Sequence, residues 1–264
     1  MPSVHARLDF LADIPLYQDE KPYAVLLPVH EKRNPDQRLN NLEWEAHDVL
    51  VTDIRGLWDT LDIDRCGFQA IHHKAASLGF DSIPNLHAYQ KETETLLKER
   101  YPSSHVVCYE LKLRENTRFE RDTIDLNDPF LVEGPAKGAH NDVTFSSGPQ
   151  IIDRYLSAEE KEMHIKPGCR VRIVNTWRSL IPKLEDRPLA FCEYRSIDPD
   201  DLVEADRVLP DRVGEVYYLR YHPEQRWYWL EHQDLDEVFM FMMYDSAEGD
   251  QARCRLSTRD HVLE

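Results

Sequence analysis

Three segments in the second half of the chain have the patterns of β-strands that differ in burial. Residues 170–177 alternate charged or polar side chains with apolar ones, which is typical of a strand with one buried face. Residues 215–221 are rich in tyrosine, and residues 237–244 are almost entirely apolar, as in a strand covered on both faces. Many strands, long connections and few helices favour a β-sandwich or jelly roll, an α+β fold that is dominated by β-structure.

Two helices are predicted among these strands. Residues 84–100 repeat apolar side chains at helical spacing among charged neighbours, which indicates a helix packing one stripe on a sheet. Ser157 precedes an acidic run and predicts the N-terminus of a second helix. We expect residues 1–264 to form a single domain. Its residues 1–45, polar and proline-containing with an apolar segment at 23–29, are predicted to form an N-terminal strand and arm.

Composition excludes several classes of partner. The formal net charge of −17 argues against binding to nucleic acid or to an anionic membrane surface, because both attract Lys and Arg. The sequence has neither a long apolar run that would span a membrane nor a signal-peptide core at its start, so a cytoplasmic location is predicted. The five cysteines are odd in number and lack a CxxC motif, which argues against a disulfide framework or a zinc knuckle.

The segment His140-Asn141-Asp142 carries the strongest signal for chemistry. On a strand, side chains two positions apart point to the same face, so the imidazole and the carboxylate can meet. One His and one carboxylate are two thirds of the facial triad that holds Fe(II) in non-haem oxygenases. The pair is equally consistent with a structural hydrogen bond, or with acid–base or substrate-binding chemistry that needs no metal.

A set of short segments, in order, resembles the fungal gibberellin desaturase-like family, which is related to the cephem methoxylase-associated chain and belongs to the Fe(II)/2-oxoglutarate oxygenase superfamily. The segments are Asp53-Ile-Arg55-Gly, Leu61-Asp, Gly67-Phe68, His140-Asn-Asp142-Val-Thr144, Asn175-Thr-Trp177-Arg178, Pro188-Leu-Ala, Arg195-Ser196, Arg226-Trp227-Tyr228, Asp236-Glu237-Val and Tyr244-Asp245-Ser246. The resemblance implies a double-stranded β-helix, or jelly roll, with a few flanking helices. It also implies small hydrophobic secondary metabolites as substrates.

The same resemblance exposes three departures. Counted without gaps from Ser246, the family's second iron-binding His falls on Leu256, and Met242 stands where the family usually has a Lys. The family's later segment with the arginine for the 2-oxoglutarate carboxylate has no counterpart before Glu264. We therefore expect a degenerate member without a metal ligand set. The alternative ligand set is His140, Asp142 and His261, which requires a five-residue insertion in the last hairpin.

These departures lead to the prediction of a cofactor-independent cyclase, a pericyclase of the Diels–Alderase type, or an isomerase. It would act on a small hydrophobic intermediate of fungal-type secondary metabolism, with no cofactor. An active hydroxylase or desaturase that uses Fe(II) and 2-oxoglutarate is the alternative, and a non-catalytic ligand-binding protein is a further one. Metal analysis separates the first two.

The predicted catalytic residues are His140, Asp142, Asn175 and Arg178, and the predicted substrate-binding residues are Trp177, Tyr217, Tyr221, Arg226 and Trp227. The oligomeric state is left open.

Overall fold

The computed structural model describes residues 3–26, 36, 38–117, 119, 125 and 128–247, together with the backbone of residues 257–258. The strands are β1 (Ser3–Leu11), β2 (Tyr23–Val25), β3 (Trp44–Asp53), β4 (Phe68–His72), β5 (Leu113–Arg114), β6 (Val132–Glu133), β7 (His140–Asn141), β8 (Arg172–Arg178), β9 (Ala190–Cys192), β10 (Leu202–Leu209), β11 (Arg212–Leu219), β12 (Trp227–Trp229), β13 (Glu237–Asp245) and β14 (Ser257–Thr258). The helices are α1 (Leu16–Asp19), α2 (Ile63–Cys66), α3 (Ile83–Arg100), α4 (Ser147–Tyr155) and α5 (Ala158–His164).

The larger sheet has nine strands in the order β1-β3-β12-β9-β14-β7-β11-β10-β2. Its first strand pairs antiparallel with β3 along its whole length, from Ser3 opposite Thr52 to Leu11 opposite Trp44. Alternate side chains of β1, from Ala6 to Phe10, are buried in the core, and this burial anchors the strand in the sheet. Residues 1–45 therefore contribute β1, β2 and the start of β3 to the main sheet, where one N-terminal strand and an arm were predicted.

The smaller sheet, β4-β13-β8, places β13 in its centre. Every residue of β13 is buried, which confirms the prediction of a strand covered on both faces. Phe239 and Phe241 pack into the core between the two sheets, whereas Met240 and Met242 pack on the outer side with Leu97 of α3. The strand-rich architecture with flanking helices is the predicted α+β class.

Both predicted helices are present. α3 begins after the N-cap Ser82 and runs to Arg100, which confirms the helix predicted for residues 84–100. In α5 the Ser157 side chain accepts a hydrogen bond from the Glu160 amide, and the Glu160 side chain accepts one from the Ser157 amide. This capping box satisfies two backbone donors that a helix start would otherwise leave unpaired. No helix in the described part of the chain is both long and apolar enough to cross a membrane.

Candidate active site

A cavity of about 1570 Å³ borders both sheets and the segments around them and is called here the main cavity. Its walls come from α3, residues 101–116, α4, β8, β10 and β11. His140 and Asp142 both line it. A cavity of this size that combines aromatic walls with a few polar groups is suited to a small organic ligand.

The His140 imidazole is held in one orientation by the preceding turn. Its Nδ1 lies 2.8 Å from the carbonyl oxygen of Gly138, which can only accept, so Nδ1 carries the proton and Nε2 keeps its lone pair. Gly138 has a φ of +79°, and a Cβ at this position would lie 1.9 Å from the ring of Trp44. Only glycine fits this turn, because a larger residue would be strained in its backbone and would overlap Trp44.

Asp142 faces the free nitrogen of His140 and three basic side chains. Its Oδ1 lies 3.7 Å from His140 Nε2 and 3.7 Å from Arg207 Nη1. Burial raises the pKa of Asp142, whereas the positive charges of Arg207, Lys112 and Arg114 lower it; the net pKa is lowered, so the carboxylate is ionised. For His140 burial lowers the pKa more than Asp142 raises it, so the imidazole is neutral. A neutral imidazole and a carboxylate are the forms that ligate metals.

The donor set fits part of an iron site. Two donors of the right chemistry converge on one point of the cavity wall, as a facial triad requires of two of its three ligands. Among the described residues no group of three or more His, Cys, Asp and Glu side chains could hold a metal ion. β14 runs beside β7 with Ser257 opposite His140, so the C-terminal segment passes next to this pair. A third protein ligand would have to come from residues outside the described ranges, where Leu256 and His261 both lie.

Two further predicted residues share the main cavity through β8. Asn175 is paired with Phe241 of β13 and Trp177 with Phe239, and both side chains line the main cavity. Arg178 also borders the cavity, but its guanidinium donates to the carbonyl oxygens of His73 and Leu235. These hydrogen bonds connect β8 to the chain next to β4 and β13. Arg178 therefore stabilises the smaller sheet, whether or not it also contacts a ligand.

Four of the predicted substrate-binding residues lie away from the main cavity. Tyr217 is paired with Asn141 and so faces the side opposite to His140, where it lines a separate polar depression of about 760 Å³. Tyr221 stacks on the His47 ring at a centroid distance of 3.9 Å. Trp227 is 1% exposed in a second core, and Arg226 forms an ion pair with Glu193. Of the predicted substrate-binding set, only Trp177 is in the main cavity.

The structure adds wall residues that the sequence patterns did not reveal. The ring centroids of Tyr109 and Tyr155 lie 4.6 Å apart, and both residues line the main cavity. Within residues 105–114 only Leu113–Arg114 pairs as a strand, with Val132–Glu133, and the rest of the segment lines the cavity. Arg207 comes from the β10–β11 hairpin. The Pro-Asp turn at residues 210–211 was the available signal for that hairpin.

The two sheets with their flanking helices form a jelly roll, and the His140–Asp142 pair lines its cavity. A solved variant of the iron and alpha-ketoglutarate-dependent endoperoxidase NvfI matches with a TM-score of 0.82 and 23% identity, over 100% of this chain and 90% of that chain. A second NvfI structure, in a different conformation, matches with a TM-score of 0.81. These matches confirm the predicted jelly-roll fold.

Residues 8–259 match the family described as oxidoreductase/YMDC permease-like domain, and the chain belongs to this family. The hydroxylase/desaturase efuI of Hormonema carpetanum is 26% identical over 80% of this chain and 76% of its own length. The Fe(II)/2-oxoglutarate-dependent dioxygenase nvfI of Aspergillus novofumigatus is 26% identical over 80% of this chain and 75% of its own. The gibberellin cluster GA4 desaturase of Gibberella fujikuroi is 24% identical over 75% of each chain. The resemblance to fungal hydroxylases and desaturases is thus confirmed.

These relatives overturn the prediction of a cofactor-independent cyclase or isomerase, and the prediction that no cofactor is needed. That prediction depended on three departures, one of which was a gap-free count from Ser246 that placed Leu256 in the ligand position. The strand register puts Ser257, not Leu256, opposite His140. Counting along a loop cannot establish such a register, because one inserted residue moves every later side chain to the other face.

Proposed function

We propose that this protein is an Fe(II)/2-oxoglutarate-dependent oxygenase that hydroxylates or desaturates a small, largely apolar molecule. The observation that carries the proposal is the His140–Asp142 pair, with an unprotonated Nε2 and an ionised carboxylate 3.7 Å apart on the wall of the main cavity. The relatives named as hydroxylases, desaturases and Fe(II)/2-oxoglutarate-dependent dioxygenases support it.

In this proposal His140 Nε2 and the Asp142 carboxylate hold the metal. We propose His261, which lies outside the described residues, as the third ligand. When bound, the iron supplies the oxidative chemistry. The chain's part is to orient the ligands and the substrate. The Gly138 carbonyl keeps the imidazole in the ligating tautomer, a role that carbonyl partners commonly have at metal sites.

The substrate would lie along the aromatic wall. Tyr109, Tyr155 and Trp177 provide apolar surface in the main cavity, and Asn175 offers an amide that can donate or accept a hydrogen bond. Such a wall favours a ring-containing or unsaturated molecule, because flat apolar surfaces pack well on aromatic side chains.

The test is to reconstitute the purified protein with Fe(II) without oxygen, measure bound iron, and then follow the conversion of 2-oxoglutarate to succinate after adding oxygen. We expect stoichiometric iron and oxygen-dependent succinate formation. His140→Ala and Asp142→Ala should each lose at least tenfold in iron affinity and in turnover. His5→Ala is the matched control, since His5 is an exposed side chain of β1. Wild-type iron binding in His140→Ala, or turnover that persists with a chelator, would contradict the proposal.

A further inference from the structure

We infer that the outer edge of β8 binds amide groups of the substrate, which makes the substrate an apolar molecule with a peptide-like backbone. The inference rests on the proposed function and adds to it the chemical class of the molecule that is oxidised. It comes from backbone groups of β8 that line the main cavity and have no hydrogen-bond partner among the described residues.

The pairing of β13 determines which backbone groups of β8 stay open. Successive residues of a central strand direct their N–H and C=O groups to opposite neighbours. The Met242 amide donates to the Gly67 carbonyl at 2.9 Å, so the even-numbered residues of β13 up to the bulge after Met242 are bonded toward β4. The odd-numbered residues are therefore bonded toward β8, where Phe241 is paired with Asn175.

The residues of β8 that alternate with Asn175 direct their backbone groups away from β13. They are Arg172, Val174, Thr176 and Arg178, and β8 is an edge strand of the smaller sheet. Within the described ranges none of these four has a backbone hydrogen bond on the outer side, and all four line the main cavity. This part of the cavity wall is an open strand edge, which presents alternating donors and acceptors to a ligand.

An open edge at this depth requires a partner with matching chemistry. Every residue of β8 is buried or partly buried, and backbone groups in a protein interior are nearly always hydrogen-bonded. An extended chain of amides provides a row of donors and acceptors, as peptides do when they add a strand to an open sheet. A ligand without such groups would displace water from the edge and leave the backbone unpaired, which costs affinity.

Residues 105–112 add a second stretch of open backbone to the same cavity. Val106 and Tyr109 are residue types that favour strands, yet residues 105–112 pair with no strand in the described part of the chain. Among their backbone N–H groups only that of Cys108 has a partner there, the Glu94 carboxylate at 2.9 Å. A ligand in the main cavity is therefore offered open backbone by both this segment and β8.

The size and the lining of the cavity suit an extended apolar chain. At about 1570 Å³ the main cavity exceeds the roughly 300–1,000 Å³ of most ligand pockets, which leaves length for several linked units. Trp177 and Ile173 lie on the face of β8 that packs toward the core between the sheets, and both line the cavity. Side chains of a bound strand alternate between its two faces, so one set would pack on this surface.

The experiment uses a probe that carries the proposed backbone. The blocked dipeptide N-acetyl-alanyl-phenylalanine N-methylamide is titrated into the full chain loaded with Mn(II), and its dissociation constant is measured by calorimetry. A depsipeptide analogue has an ester oxygen in place of the central N–H, so it removes one donor from the ligand without changing the protein. Hydrogen exchange of the β8 amides, with and without the dipeptide, locates the bound molecule.

Thr176→Pro removes one outward N–H from β8. Proline is tolerated on an edge strand where the lost N–H faces away from the sheet, so the pairing with β13 is retained. Thr176→Val is the matched control, because it keeps both the backbone N–H and a β-branched side chain. The unfolding midpoint of each variant is compared with that of wild type.

We expect Thr176→Pro and the ester analogue each to weaken binding about fivefold, as the loss of one hydrogen bond does. Thr176→Val should bind within twofold of wild type, and the dipeptide should slow exchange at the Val174 and Thr176 amides.

Equal affinity for the dipeptide and its ester analogue would overturn the assignment, as would wild-type affinity in Thr176→Pro. So would failure of the wild type to bind the dipeptide, or slow exchange at both amides before it is added, since the chain itself would then cover the edge. If Thr176→Pro does not fold, the ester analogue decides alone. Iron-dependent succinate formation tests the proposed function separately, so that function can stand while the assignment fails.

Discussion

The indole ring of Trp44 fills the space that a side chain on Gly138 would need, since a Cβ on Gly138 would lie 1.9 Å from that ring. The Gly138 carbonyl accepts the Nδ1 hydrogen bond of His140, so the packing of this turn determines how the imidazole is presented. The indole also packs edge-on against Tyr218, at a centroid distance of 5.0 Å, and Tyr218 is the β11 partner of His140. Trp44 therefore packs against both the turn that precedes His140 and the strand partner of His140.

We predict that Gly138→Ala destabilises the protein by about 2–4 kcal/mol and lowers its iron affinity. The positive φ costs an alanine about 1–2 kcal/mol, and displacement of the indole costs about as much again. Urea unfolding and iron titration measure the two effects. Gly56→Ala is the control that isolates the backbone cost, because its φ is +84° but nothing lies within 4 Å of the new Cβ. Equal losses in the two variants would mean that Trp44 has no part in the effect.

Arg55 and Glu237 form an ion pair that closes one end of the smaller sheet. Glu237 is 2% exposed, and its two oxygens accept from Arg55 at 2.7 and 2.9 Å. Arg55→Met should destabilise the protein by about 2–3 kcal/mol, at the low end for breaking a buried pair because Arg55 itself is partly exposed. Chemical denaturation measures the change. The double variant Arg55→Met/Glu237→Gln should recover part of the loss, and a double variant no more stable than the single one would contradict this account.

We predict that protonation of Asp245, the last residue of β13, lowers the free energy of unfolding at acid pH. Burial raises the pKa of this carboxyl, but its hydrogen bonds with Arg170 and Arg172 outweigh burial, and the pKa lies below that of an ordinary Asp. Because the folded state holds this proton less tightly than the unfolded state, the contribution to stability is complete above about pH 4–5. It is lost as the pH falls through the lowered pKa. Unfolding free energies of wild type and Asp245→Asn, measured between pH 7 and pH 3, should therefore converge toward the acid end. A constant difference across this range would exclude the assignment.

Local patterns along the chain predicted much of the fold and part of the site. The apolar run of β13, the stripe of α3 and the Ser157 cap are local signals, and the i, i+2 spacing of His140 and Asp142 correctly predicted that both face one cavity. The alternation in β1 was an available signal as well.

The rest depended on pairings between distant parts of the chain. Tyr217 and Tyr218 are adjacent, yet only Tyr218 shares the face of His140, and this is decided by the register of β11 on β7. The pairing of Arg207 with Gly214 belongs instead to the β10–β11 hairpin, for which the Pro-Asp turn at residues 210–211 was a signal. No local pattern gives the register of β11 on β7, so the face of Tyr218 was not predicted.

The last prediction concerns Arg207, whose Nη1 lies 3.7 Å from Asp142 Oδ1. Arg207→Met removes one of the positive charges that lower the pKa of Asp142, so the pKa of this carboxyl should rise. NMR titration of the Asp142 side chain in the metal-free protein measures the change. Arg212→Met is the control, because Arg212 lines the same cavity but is paired with Asp211 at 2.9 Å, and it should leave the pKa of Asp142 unchanged. An equal pKa of Asp142 in wild type and in Arg207→Met would contradict this prediction.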